Sequence, residues 1–264
     1  MIKPVHQELE IVRTRNLKND YYAITVGPFK GATKCRPGHF VHVKLPTSTI
    51  YLRRAMSVAG VNRTDKTLEF IFKAIGRGTK LMAAARKGDK FDILGPLGNG
   101  FSRPKKTEQA LLVSGGIGFP PPLYLATDLV ARGYDPKKID FYYGGRSRLD
   151  IIEQNRIKKL GVNFHPTTDD GSFGTKGLVT HLVEKQIVNS DPKKLSLYAC
   201  GPEPMLKAVN DLGLKYGVAG ELSLEAPMPC GVGICLGCVV NLTRGGHARV
   251  CVDGPVFQIG EVAL

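Results

Sequence analysis

The chain has 264 residues, 42% hydrophobic and 23% charged, and its 37 Lys and Arg against 23 Asp and Glu give a formal charge of +14. That composition excludes a disordered chain, and the length suffices for two compact domains with a small appendage. The basic residues fall as scattered pairs, such as Arg53–Arg54, Lys105–Lys106 and Lys193–Lys194, with no basic block and no interleaved aromatics. The charge therefore reads as a solubilising surface, with phosphate-bearing cofactors or an acidic protein partner as its other uses, and argues against nucleic acid.

No apolar run approaches the ~20 residues of a membrane helix. The opening stretch from Met1 to Glu10 carries Lys3, His6, Glu8 and Glu10 and lacks the apolar segment of a signal peptide. A cytoplasmic protein without membrane contact is expected.

From Glu10 to about Phe101 the chain reads as short strands, with Tyr21–Val26, His39–Leu45, Leu68–Ile75 and Asp89–Leu94 as candidates. Gly27–Pro28, Pro37–Gly38, Lys87–Gly88 and Gly95–Pro96 punctuate them. Such spacing suggests an antiparallel barrel or sandwich. One helical stretch interrupts, Thr79–Arg86, directly after Gly78. Near Ser102–Gln109 the composition turns polar and basic, as at a domain junction. Beyond it, apolar runs at Ala110–Ser114, Ile139–Tyr143 and Leu195–Cys200 each end in a glycine turn, and Pro122–Ala131 reads as a helix. Strands alternating with helices predict a doubly wound parallel sheet, which binds ligands at the carboxyl ends of its strands. After Gly217 the chain becomes loop-rich, with short strands near Val239–Thr243 and Arg249–Val252. The expected domains are residues 1–103, 104–217 and 218–264.

Of six cysteines, Cys35 and Cys200 stand alone and read as small apolar residues. The other four form Cys230-x4-Cys235-x2-Cys238-x12-Cys251. The first three match the C-x4-C-x2-C spacing of plant-type [2Fe–2S] proteins, with a fourth ligand further on. A loop that wraps such a cluster needs small residues and exposed N–H groups, which Gly231, Gly233 and Gly237 supply. Zinc is the nearest rival, although only one C-x2-C knuckle is present and His247 is the sole nearby imidazole.

Arg53-Arg54-Ala55-Met56-Ser57 reads as the end of a barrel strand, and Gly76-Arg77-Gly78-Thr79 opens a helix some twenty residues later. Together they fit a flavin site: Arg54 pairs with phosphate, Ser57 bonds the flavin edge, and Gly78 with Thr79 holds the second phosphate. Ser114-Gly115-Gly116-Ile117-Gly118 is not G-x-G-x-x-G. Its glycines still permit close approach of a nucleotide, as do Gly144–Gly145 with Arg146 and Cys200-Gly201-Pro202. Tight turns are the alternative use of each. Asp169–Asp170, in TDDGSFG, reads as a turn near the nucleotide rather than a catalytic pair. No catalytic residue for an organic substrate stands out, so the cofactors carry the chemistry.

RRAMSV, GRGTKLM, DILGPLGNGF, LLVSGGIGFPPPLY, YYGGRS, TDDGSFGTKGLVT, YACGPEPML, SLEAPMPCGVGICLGCVV and VCVDGPVF follow in an order that spans essentially the whole chain. In this order they resemble the electron-transfer subunits of class 1B dihydroorotate dehydrogenases, within the ferredoxin-reductase-like flavoproteins. The resemblance implies an FAD-binding barrel, an NAD-binding α/β domain and a [2Fe–2S] module. Electrons from dihydroorotate oxidation in a separate FMN subunit would pass through the cluster and FAD to NAD+, in an assembly of two copies of each subunit. FAD contacts carried over by position fall on Arg54, Ala55, Met56, Ser57, Ile71, Phe72, Lys73, Gly78 and Thr79. Relatives often place an aromatic residue where Met56 stands, and GFPPPLY departs from the commoner family turn. Related reductase subunits of NAD(P)H–ferredoxin or sulfide dehydrogenase systems tend to carry Asp at the first cluster ligand, against which Cys230 argues. A flavin-based redox sensor or scaffold is the alternative of another class.

Overall fold

The computed structural model describes residues 3–264, so the first two residues of the stretch read as no signal peptide lie outside the described residues. Six strands close an antiparallel barrel in the order β1-β2-β5-β4-β3-β6. They are β1 (Val5–Asn16), β2 (Tyr21–Gly27), β3 (Phe40–Lys44), β4 (Arg54–Asn62), β5 (Thr67–Lys73) and β6 (Lys90–Leu97), with helix α1 (Arg77–Ala84) between the last two. Alternation fills the barrel: Val41 and Val43, Phe70 and Phe72, Phe91 and Ile93 face one apolar core.

Three differences from the sequence reading have local causes. The segment Arg53–Ser57 does not end a strand; β4 begins at Arg54 and runs to Asn62, whose side-chain oxygen accepts from the Thr64 and Asp65 N–H groups and turns the chain. Helix α1 starts at Arg77, two residues early, because Thr79 Oγ1 accepts from the Gly76 N–H and caps the first turn. Strand β1 had no strong signal, since its exposed face is almost wholly polar.

The second sheet has the order β10-β9-β8-β7-β11-β12-β15. Its elements are β7 (Gln109–Gly115), α2 (Pro120–Ala131), β8 (Ile139–Gly145), α3 (Gln154–Lys159), β9 (Asn163–Thr168), β10 (Thr175–Lys176), α4 (Val179–Val188), β11 (Leu195–Cys200), α5 (Glu203–Tyr216) and β12 (Gly220–Ser223), joined by β15 (Val256–Gln258). All neighbours pair in parallel except β15, which runs antiparallel to β12. Alternate residues of β7 cover the two faces: Leu111 and Val113 pack with α4 and α5, while Ala110 and Leu112 pack with α2 and α3. No helix among the described residues is long and apolar enough to cross a membrane.

The remaining hairpin, β13 (Val239–Asn241) with β14 (His247–Arg249), lies among the loops that carry the cysteines. The stretch Arg249–Val252 is thus a strand only at its first residue. Asp253 accepts from the Arg249 N–H and guanidinium, and the chain turns through Cys251. Strands β12 and β15, both within residues 218–264, complete the sheet of the preceding domain.

His39 is fully buried ahead of β3, and its Nδ1 accepts from the Arg36 N–H. Burial, with Arg36 adding to it, lowers its pKa from 6.5 to about 4. The folded imidazole is neutral, so its contribution is complete above the unfolded pKa and is lost as pH falls through the folded one. Urea midpoints are expected to drop between about pH 6.5 and 4, and His39→Gln should flatten that part of the profile.

Candidate redox site

Arg53 and Arg54, adjacent in sequence, do different work. Arg53 is tied to the barrel by an ion pair with Asp92 at 2.9 Å and by a hydrogen bond to the Asp92 carbonyl. The Arg54 guanidinium donates only to the carbonyls of Leu52 and Arg53 and meets no carboxylate among the described residues. It reaches across to the start of α1, where a Cβ on Gly78 would stand 2.5 Å from Arg54 Nε. The bare Gly78 backbone and an unpaired guanidinium thus form a cradle that a larger residue would fill, and such a cradle fits a phosphate. Thr79 shares this helix start, with its hydroxyl committed to Gly76.

A cleft opens beside the cradle. The barrel lines it with Ala55, Met56, Ser57, Ile71, Phe72, Lys73 and Thr79, all among the residues expected to touch the flavin. Met56 also packs into the barrel core, so its side chain bridges core and cleft. The opposite wall comes from Ile117 and Pro120 beyond β7, from Cys200 at the end of β11, and from Leu224–Met228, which lead into the cysteine loop. Of these facing residues only Cys200 was singled out in sequence, and there for the nucleotide. SLEAPM was the available signal, but a loop next to a cysteine motif does not reveal which wall it will build.

The nucleotide signals separate in the structure. Gly115, Gly116 and Pro202 line a second cleft with Gly144, Gly145, Arg146, Thr167 and Asp169. Gly116, at φ +52, has nothing within 4 Å of where a Cβ would stand, so its backbone faces open space. Gly118 and Gly201 serve packing instead. A Cβ on Gly118 would lie 2.5 Å from the Cys200 carbonyl oxygen, and one on Gly201 would lie 2.9 Å from the Gly115 nitrogen. Cys200 lines the flavin cleft rather than this one, and burial raises its thiol pKa. Thr167 Oγ1 is buried beside the second cleft and has no partner among the described residues. Lys73, Ile75 and Ile117 line both clefts, so ligands in the two would be neighbours. Asp150 holds Lys73 there at 3.3 Å and also accepts from the Tyr21 hydroxyl.

The four cysteines lie in the loop-rich segment after Met228. Cys238 and Cys251 are buried, Cys230 is half-buried and Cys235 is exposed. The Cys230 thiol senses Cys235, and the Cys251 thiol senses Cys238. Backbone N–H groups of Val232, Gly237 and Cys251 point at the sulfurs of Cys230, Cys235 and Cys238 at 3.4–3.5 Å. Burial raises the Cys230 thiol, but the Cys235, Val232 and Ile234 N–H groups outweigh it and lower the pKa to about 6; burial, with Cys238, pushes Cys251 up to about 12. Among the described residues no three His, Cys, Asp or Glu side chains gather about one point. The Cys230-x4-Cys235-x2-Cys238 spacing with a distant Cys251, and N–H groups directed at three of the sulfurs, fit a [2Fe–2S] cluster better than a single zinc ion. His247 turns to Asn241 instead.

A flavin-type barrel, a parallel nucleotide sheet and a cysteine loop that share one cleft define an iron–sulfur reductase of the ferredoxin-reductase type. Residues 225–263 match the family model of the iron–sulfur cluster binding domain of dihydroorotate dehydrogenase B, and residues 112–211 match the oxidoreductase NAD-binding domain. A dihydroorotate dehydrogenase B (NAD+) electron transfer subunit from Shouchella clausii is 39% identical over 263 residues, covering 97% of each chain. The same subunit from Lysinibacillus sphaericus is 41% identical over 234 residues, covering 86% of this chain and 87% of that one. The chain belongs to the family of dihydroorotate dehydrogenase B electron transfer subunits. Among solved structures, one of an NADH-dependent reduced ferredoxin-NADP oxidoreductase superposes with a TM-score of 0.84 at 29% identity, covering 97% of this chain and 89% of that one.

Replacing Gly78 with Ala would push a methyl group into the Arg54 guanidinium. FAD affinity, titrated on deflavinated chain, should fall by about tenfold or more, equivalent to ~1.4 kcal/mol, while the thermal unfolding midpoint of the FAD-free chain should move little.

Proposed function

We propose that this chain takes electrons released by dihydroorotate oxidation in an FMN-containing partner and delivers them, by way of a [2Fe–2S] cluster and FAD, to NAD+. The observation that carries this reading is the sharing of walls: Leu224–Met228 run from the flavin cleft into the cysteine loop, and Lys73, Ile75 and Ile117 run from it into the nucleotide cleft. When bound, the flavin supplies the exchange between paired electrons at a nicotinamide and single electrons at a cluster. The chain supplies position. In this reading Arg54 and the α1 start hold the pyrophosphate, and Ser57 and Ile71–Lys73 orient the ring. Gly115 and Gly116 admit the nicotinamide nucleotide, Cys200 and Pro202 bound its approach, and Gly118 and Gly201 keep the strand ends close. Cys230, Cys235, Cys238 and Cys251 would hold the cluster.

The same reading places the partner. Ile234 is 80% exposed and Leu236 60%, on either side of Cys235, the most exposed of the four thiols. Across a groove lined by Pro229 and Cys230, Tyr51 is 90% exposed and Leu52 48%. Apolar side chains standing out around a redox centre suit a protein that must approach it closely. The inferred assembly has two copies of each subunit. Expression in the cytoplasm is consistent with thiols that must remain reduced until iron arrives.

Two experiments test this. Cys235→Ser should lose or alter the visible spectrum of the cluster and abolish dihydroorotate-dependent NAD+ reduction, while anaerobic NADH still bleaches the FAD. An unaltered cluster spectrum with full coupled activity would remove Cys235 from the ligand set. Ile234→Asp, with iron and FAD content unchanged, should lower recovery of the FMN subunit in co-purification by about tenfold, the effect of losing one buried apolar anchor; unchanged recovery would move the docking face elsewhere.

A further inference from the structure

His42 is fully buried, yet neither of its ring nitrogens has a hydrogen-bond partner. A buried polar group without a partner is destabilising. The side chain projects from the outer face of β3, opposite to Val41 and Val43, which fill the barrel. Phe40, two residues earlier on the same face, lies 5.7 Å away between ring centroids and lines the flavin cleft. On the far side lies the cysteine loop. A Cβ on Gly231 would stand 2.5 Å from His42 Cε1 and 2.7 Å from Nε2, so the loop backbone rests directly on the imidazole. Gly231, at φ +68, immediately follows Cys230.

Among the described residues the barrel offers this ring no acceptor. The nearby Arg53 guanidinium has only donors, one of which reaches the His42 carbonyl at 3.5 Å. The Asp92 carboxylate is engaged by Arg53 and His6. On that side the described neighbour is the cysteine loop, with Gly231 on the ring and Cys230 preceding it.

We propose that His42 is a positioning residue for the iron–sulfur group, with its ring N–H donating to a sulfur of the cluster or of Cys230 and so favouring the reduced form. Reduction adds negative charge to the sulfurs, and a donor fixed by burial stabilises that charge more than the oxidised state. His42 and Phe40 then form one strand face from the cluster loop to the flavin cleft. The inference rests on the cluster assignment made above, and iron and sulfide analysis of the wild-type chain tests that assignment separately.

The experiment compares His42→Phe, His42→Met and His42→Gln in the full chain, co-expressed with its FMN subunit and assayed anaerobically for iron, sulfide and FAD. At a fixed NADH to NAD+ ratio, the reduced fraction of the cluster is read by its electron paramagnetic resonance signal. The Phe and Met variants should lower the ratio of reduced to oxidised cluster by about tenfold, the loss of one hydrogen bond to a charged group, with a changed signal shape. The Gln variant, which keeps an N–H, should stay within about threefold of wild type. Assembly of a cluster in the Gln variant but in neither apolar one would also support the donor role. Wild-type ratios and signals in Phe and Met, an equal fall in Gln and Met, or failure of all three variants to load iron would overturn it.

Discussion

The cysteine loop has no core of its own, and the redox path depends on how that loop is clamped to the two domains. Asn99, from GPLGNGF, donates through its side chain to the carbonyls of Val252 and Asp253, and its N–H donates to Gly254 at 2.6 Å. Gly98, at φ +72, leaves room for Pro255, where a Cβ would clash. The segments GPLGNGF and CVDGPVF, more than 150 residues apart in sequence, are therefore two halves of one contact. Strand β15 then pairs with β12, and Cys238, Ala248, Val250, Cys251 and Phe257 bury their side chains in the same core as Leu111, Leu206 and Leu222.

A second clamp fixes the barrel against the nucleotide sheet. Arg15 on β1 pairs with Glu69 on β5 at 3.0 Å and with Glu153 at 2.8 Å, and Arg156 pairs with Glu69. All four side chains are largely buried, between 11% and 30% exposed. Desolvation offsets much of the Coulomb gain in such a network, so its chief effect is on geometry rather than on stability. Lys73, Tyr21 and Asp150 extend it to the wall common to both clefts. The flavin and nucleotide clefts consequently share residues that neither domain could align alone.

Glycine shows how one residue type serves opposite needs here. Gly116 faces open space and Gly78 makes room for the Arg54 guanidinium, whereas Gly118 and Gly201 let two strand ends touch. In sequence all four lie in similar turns. Only the neighbours of the missing Cβ distinguish them, and those neighbours come from other elements.

The thiol quartet, the barrel followed by a parallel sheet, and the motifs around Arg54 and Gly78 were legible in the residues, because each is written in short-range spacing or in strand and helix periodicity. Strand β1 escaped notice because half of it faces water, and β4 was read as ending where it begins, because it is the Asn62 side chain that turns the chain. The tertiary structure alone decided that Leu224–Met228 wall the flavin cleft, that β12 and β15 complete the sheet, and that His42 lies beneath Gly231. Each of those depends on contacts between residues far apart in the chain, which are set by packing and leave no local pattern to read.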